Sequence, residues 1–238
     1  MKVVTIVPGT CQTYSHLAAY RGMMRTHKAT CDSELHFYSN EIYTEDHEKL
    51  NKTLSQELTR LGYFYHRYEE PFSLTKIWNQ GLSDTSSDYV VYSIGDMLFL
   101  SGWLDPLITL LDTGKYHSAQ GVTRLNDDGM TNHFDAAKAN REGFLESDYP
   151  CGSHFVMRRS DGFEWDEEVG QFYPDIAYRE YLKHTSQLCA ISGSSELVHM
   201  SMPIGVTKTH SSPEWGNREL KERKILEDRR LRWASDKR

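Results

Sequence analysis

The chain has 238 residues, 38% of them hydrophobic and 26% charged, with a formal net charge of −7. That balance excludes an intrinsically disordered chain, and the length suits one sizeable α/β core or two small domains. The longest apolar stretches fall short of a membrane-spanning helix.

The N-terminus, MKVVTIVPGT, runs straight into a strand-like stretch without the apolar core and cleavage site of a secretion signal. A cytoplasmic protein is therefore expected. Lys2–Val7 is continuous and β-branched, as in a strand buried on both faces. Pro8-Gly9-Thr10 ends it, and a helix is predicted over Ser15–Thr26 with Ser15 as its cap. Glu34–Tyr38 reads as a second strand, closed by Ser39-Asn40. Asp46–Leu61 reads as a helix with Leu50, Leu54, Leu58 and Leu61 on one stripe. A third strand fits Phe64–Tyr68, a short helix Ser73–Leu82, and a fourth strand Tyr89–Ser93. This alternation predicts a mostly parallel, doubly wound sheet with helices on both faces.

Further on, Trp103–Leu111 is predicted as a helix and Tyr116–Arg124 as a strand. Asp127–Glu146 is polar and reads as a long loop. Phe155–Arg158 is a strand, Ile176–His184 a helix, and Ser195–Met200 a strand bearing a histidine. No linker divides this body, so residues 1–216 are expected to form a single domain. Residues 217–238 form a helical tail with nine basic and five acidic residues, leaving 18 and 29 in the body. Such asymmetry suits either a solvated helix, with Glu219/Arg223 and Asp228/Arg232 as i,i+4 pairs, or an arm that meets an anionic partner.

The four cysteines, Cys11, Cys31, Cys151 and Cys189, are widely spaced and form no CxxC pair, which argues against a zinc ribbon or a disulfide framework. Glycine-rich phosphate loops, a GxSxG elbow and HExxH are all missing from the sequence. Three positions carry the chemistry instead. Asp96 follows the fourth strand in YVVYSIGDMLF, where a lone carboxylate is costly unless it binds something. In doubly wound sheets that end of the strands is where ligands bind. Asp175 follows Pro174 at the start of a helical run, placed either to cap it or to act as a general base. His199 closes SELVHM, as a packed side chain or as a ligand.

Taken in order, VVTIVPGT, KIWNQGLSDTSSDYVVYSIGDMLFLSGWLDPLITLL, GSHFVMRRSDGFEWDEEVGQFYPDIAYREYL and SELVHM resemble GT-A-fold glycosyltransferases, especially the inverting, family-2-like enzymes. The resemblance spans most of residues 2–200. It implies a Rossmann-like GT-A sheet and an enzyme that moves a hexose or pentose from a nucleotide sugar, such as a UDP-sugar, to an acceptor hydroxyl with inversion. It also implies that Pro8, Gly9, Thr10, Asn40, Gly95 and Asp96 bind the donor. Asp96 and His199 would hold Mn²⁺ or Mg²⁺, Asp175 would supply the catalytic base, and Trp103 and Trp165 would meet the acceptor. The departures are specific: the metal motif retains Asp96 alone, the acidic pair before the helix is Pro174-Asp175, and Asn40 stands where an acidic residue commonly reads the base. The polar stretch 127–146 would serve as a lid. The depleted metal motif also suits a module that binds a nucleotide sugar without turning it over. Through the basic tail, the acceptor could be a membrane-surface glycan or a nucleic acid, as for enzymes that glycosylate modified DNA bases.

Overall fold

Seven consecutive buried residues make β1 (Val3–Gly9), a strand covered on both faces. Val4 and Ile6 face one layer of the core, and Val3 and Val7 the other. A computed structural model of the chain describes residues 1–40, 44–68, 73–125, 143–147, 154–170, 174–200 and 213–236. In it α1 (Tyr14–Thr30) is capped by Thr13, whose side chain accepts the His16 N–H at 3.2 Å. The cap thus precedes the predicted Ser15: Thr13 has the extended backbone a cap requires, and Ser15 is already helical.

β2 (Glu34–Asn40), α2 (Glu45–Arg60), β3 (Phe64–Tyr68), α3 (Leu74–Asp84) and β4 (Tyr89–Ser93) continue the alternation. Thr44 and Ser73 cap α2 and α3 by accepting the His47 and Lys76 N–H groups. Glu45, Asp46 and Glu48 in the first turn of α2 complement its dipole. Leu50, Leu54 and Leu58 are buried on one stripe, as their spacing predicts.

The second half departs further from expectation. A short strand, β5 (Met97–Phe99), follows β4, and α4 (Asp105–Asp112) begins two residues later than predicted. β6 (Ser118–Leu125), β7 (Phe144–Ser147) and β8 (His154–Arg158) come next. β7 occupies the end of the stretch expected to be a loop, and residues 127–142 of that stretch lie outside the described residues. Its residues are exposed or half-buried, so antiparallel pairing with a distant strand, rather than an apolar pattern of its own, makes it a strand. α5 (Pro174–Thr185) leads into β9 (Cys189–His199), which starts six residues before the predicted Ser195. The small polar run Ser192–Ser195 hides the strand pattern there. α6 (Pro213–Asp236) ends the chain.

The nine described strands join in the order β3-β2-β1-β4-β8-β6-β9-β5, with β7 also beside β9. β1, β2, β3 and β4 are parallel, β8 runs against both β4 and β6, and β6 is parallel to β9. Six strands therefore share one direction, while β5, β7 and β8 oppose it. α1, α2 and α4 cover one face of the sheet, and α3 and α5 the other. This is the doubly wound α/β architecture that the alternation predicts.

α6 rests on α5 and on the segment before it. Leu226 is buried with Val169 and Ala177. Arg229 pairs with Asp166 and Glu168, and Arg230 with Glu180 at 3.0 Å. Half-exposed ion pairs contribute about 0–1 kcal/mol each, whereas burying a leucine contributes about 1.5–3 kcal/mol. Leu226 is therefore the main anchor. Within α6, Arg218 pairs with Glu222 and Arg223 with Glu227. Among the described residues no helix is long and apolar enough to cross a membrane.

Two buried histidines make the fold acid-sensitive. Around His27, Nε2 lies 3.0 Å from both Thr5 Oγ1 and Ser33 Oγ, and Nδ1 lies 2.7 Å from the Tyr63 hydroxyl. The His154 ring is sealed beside Trp103, and neither nitrogen has a hydrogen-bond partner among the described residues. Burial lowers both pKa values to about 3. Above about pH 6.5 both states hold neutral imidazoles and no stability difference arises. Below it the unfolded chain takes up protons that the folded chain refuses, so stability falls by about 1.4 kcal/mol per pH unit per imidazole until pH nears 3. The urea midpoint is expected to drop between pH 7 and pH 5, with a shallower drop in His154→Leu. An equal drop in both proteins would assign the effect to other groups.

Candidate active site

Because six strands share a direction, the carboxyl ends of β1, β2, β4, β6 and β9 lie along one edge of the sheet. Ligands of open α/β sheets bind outside that edge. A cavity of about 640 Å³, lined by Met1, Asp88, Asp112, Arg158 and Arg159 among others, opens at the opposite edge, where β4 begins and β8 ends. Strand direction and side-chain chemistry choose the carboxyl edge.

Two candidates from distant parts of the chain meet there. Ile94-Gly95-Asp96 turns the chain from β4 into β5, and β5 pairs with the end of β9 so that Met97 stands opposite His199. The Met200 N–H donates to the Asp96 carbonyl at 2.9 Å. The side chains touch, with His199 Nε2 3.1 Å from Asp96 Oδ2. Their side chains are 26% and 21% exposed, enough for a ligand to reach both. A carboxylate oxygen beside an imidazole nitrogen suits a divalent cation whose other positions are filled by ligand oxygens and water. Among the described residues no third histidine, cysteine, aspartate or glutamate completes a metal cluster.

Tyr20 organises the floor of the crevice. Its hydroxyl donates to the Thr10 carbonyl at 2.9 Å and accepts the Thr10 N–H at 3.2 Å. Its ring lies against Gly95, where a Cβ would sit 2.2 Å from Cε1. At Gly9 a Cβ would come within 2.6 Å of Phe37 Cζ and 2.9 Å of the Tyr20 hydroxyl. Both glycines are therefore required by close approach. Pro8-Gly9-Thr10 and Ile94-Gly95-Asp96, separate in sequence, are held together by one phenol. Burial raises the Tyr20 pKa, so the hydroxyl stays a neutral donor.

Asn51 ties the loops on the other side. Its Nδ2 donates to the Cys11 and His47 carbonyls at 3.2 and 2.9 Å, and its Oδ1 accepts from Ser39 Oγ at 2.8 Å. Cys11 is wholly buried, and burial pushes its thiol pKa up to about 12. No thiolate nucleophile is available at this position at neutral pH. Asn40 closes β2 opposite Tyr68, and its side chain lies outside the described residues.

Asp175 belongs to the same edge. The Leu74 N–H at the start of α3, which follows β3, donates to the Gly170 carbonyl at 2.8 Å. That places Gly170 at the carboxyl ends, and α5 starts four residues later. α5 then descends to the start of β9, so its N-terminus, with Asp175 second in the helix, faces the carboxyl edge. Asp175 Oδ1 accepts the adjacent Ile176 N–H at 2.9 Å, and the side chain is half-buried.

The two tryptophans differ from expectation. The Trp103 ring is wholly buried against Phe99 and His154 and offers no face to an acceptor. The expected contact role is corrected to support from beneath, because burial of the indole anchors the loop after β5. Trp165 is 4% exposed and packs on Trp78, Phe155 and Phe163, while its edge lines a cavity of about 190 Å³ with Tyr181, Asp166 and Arg229.

Tyr20, Asn51 and His16 were not singled out by sequence reasoning. The available signal was faint: His16 and Tyr20 lie one helical turn apart on α1, and Asn51 interrupts an otherwise leucine-marked stripe.

No family model matches the chain, and no curated protein matches its sequence. The fold does have solved counterparts. GalNAc-T7, crystallised with UDP, GalNAc and Mn²⁺, superposes with a TM-score of 0.69 at 11% identity, covering 86% of this chain and 45% of its own. Residues 1–349 of S. aureus TarS superpose with a TM-score of 0.64 at 10% identity, covering 84% of this chain and 61% of their own. Both are GT-A-fold glycosyltransferases. The fold is the GT-A, Rossmann-like one, and the chain spans about half the length of these proteins.

Proposed function

We propose that this protein is a glycosyltransferase that moves a hexose or pentose from a nucleotide sugar to an acceptor hydroxyl with inversion, assisted by a divalent metal. The observation that carries the reading is the contact between Asp96 and His199 at the carboxyl edge of a GT-A sheet. The presence of UDP and Mn²⁺ in GalNAc-T7 supports it.

In this reading the turns Pro8-Gly9-Thr10 and Gly95-Asp96 line the donor together with Asn40. Asp96 and His199 hold Mn²⁺ or Mg²⁺, which when bound neutralises charge on the leaving diphosphate. Asp175 takes the acceptor's proton as the acceptor oxygen attacks the sugar's anomeric carbon. A single displacement needs only one such base. The cavity beside Trp165 would take part of the acceptor, since aromatic edges next to Asp166 and Arg229 offer both stacking and polar contacts. The basic tail is a weaker guide to the acceptor, because Arg229 and Arg230 are engaged by carboxylates of the body.

The test is a thermal-shift screen of UDP-, GDP-, ADP- and CDP-sugars with and without Mn²⁺. A donor at a hundred times its dissociation constant is expected to stabilise the fold by about 2.7 kcal/mol, seen as a rise of about 5–10 °C that needs the metal. No shift with any donor would remove the reading. A second reading, a binding module without turnover, is favoured by the single carboxylate at the metal position. Stabilisation without any hydrolysis or transfer product would select it.

A further inference from the structure

His16 sits in the first turn of α1, one turn before Tyr20 and closer to the carboxyl edge. Its ring is 4% exposed and stacks on Tyr20, with the planes 10° apart. Tyr20 in turn lies against Gly95, and the Asp96 carboxylate is near enough for its charge to act on the His16 ring. The Gln12 N–H donates to His16 Nδ1 at 3.1 Å. That bond occupies the Nδ1 lone pair and leaves the proton on Nε2. Nε2 has no hydrogen-bond partner among the described residues, and it is not fully buried.

A nitrogen that carries a proton is a donor, not a metal ligand. His16 accordingly forms no metal cluster with Asp96 and His199. What it can satisfy is an anionic oxygen in the crevice. Burial keeps the imidazole below its ordinary pKa, against the opposing pull of Asp96 and with help from His47, so it stays a neutral donor.

We propose that His16 Nε2–H hydrogen-bonds the terminal phosphate oxygen of the donor's nucleoside diphosphate and stabilises that oxygen as it leaves. The inference rests on the glycosyltransferase reading above. The bond from the anomeric carbon to the diphosphate oxygen breaks, and its electron pair stays on that oxygen. The acceptor oxygen bonds to the anomeric carbon, and its proton passes to Asp175. His16 keeps its own proton throughout. Its hydrogen bond strengthens as negative charge grows on the departing oxygen, which makes it a catalytic contact as well as a binding one.

The experiment is calorimetric titration of UDP, GDP, ADP and CDP, and of their nucleosides, into the full-length wild type, His16→Ala and His16→Gln, all with Mn²⁺. His16→Ala is expected to weaken the bound diphosphate about 10- to 100-fold and to leave nucleoside affinity unchanged. His16→Gln places an amide N–H near the position of Nε2–H and is expected to recover most of the loss. Equal weakening of diphosphate and nucleoside would mark a structural role and overturn the proposal, as would unchanged diphosphate affinity in His16→Ala. If the wild type binds none of the four diphosphates, the donor reading itself falls, and this inference with it. Melting temperatures of the variants separate loss of contact from loss of fold.

Discussion

Replacing Asp175 with asparagine is expected to slow sugar transfer by about 10²- to 10⁴-fold while leaving donor binding unchanged. The size follows from its proposed role. A general base acts only as the acceptor hydroxyl loses its proton, so its removal costs turnover and not ground-state affinity. The alternative is a capping role. Asp175 lies in the first turn of α5 and bonds the neighbouring Ile176 N–H. Losing a cap would lower the melting temperature by a stability cost of about 0.5–2 kcal/mol. Asparagine caps nearly as well as aspartate, so Asp175→Asn separates the two roles. A variant that retains turnover but melts earlier would leave Asp175 as a structural residue.

The second large effect belongs to Asp96. Asp96→Ala is expected to lower turnover by about 10²- to 10³-fold, the rate equivalent of several kcal/mol of lost charge stabilisation. It should also abolish the dependence of donor binding on Mn²⁺. The reason is the sparse donor set: His199 is the partner that touches it, and no third such ligand joins them among the described residues. In the proposed site the removal of Asp96 would leave the cation to His199, the diphosphate oxygens and water, and its affinity is expected to fall accordingly. His199→Ala is expected to share the phenotype, whereas an Asp96→Ala protein with unaltered Mn²⁺ dependence would place the metal elsewhere.

Local signals wrote most of the first hundred residues. Strand β1 was legible because residues buried on both faces must be apolar without interruption. The α2 stripe was legible because a helix shows one face every 3.6 residues. Asp96 was legible because a carboxylate beside an apolar strand needs a reason. The miss at Ser15 arose between two hydroxyl residues only two positions apart, and backbone conformation rather than residue type decided for Thr13.

Other features had no local signal. β5 and β7 are strands because β9 is there to pair with, and their own residues carry no distinct period. The fate of the basic tail depended on carboxylates at Asp166, Glu168 and Glu180, far from it in sequence.

The sequence by itself determined the alternation of strands and helices over the first hundred residues and the doubly wound fold class, and it offered Asp96, Asp175 and His199 as candidates, since each rests on periodicity or on the cost of a charge beside apolar neighbours. Tertiary structure alone decided that Asp96 and His199 touch, that Tyr20 joins two loops across glycines with no room for a side chain, and that Gln12 N–H occupies His16 Nδ1 while Nε2 has no hydrogen-bond partner among the described residues. Those facts depend on strand pairing and close approach between segments distant along the chain, and a period of two or of 3.6 residues carries no record of them.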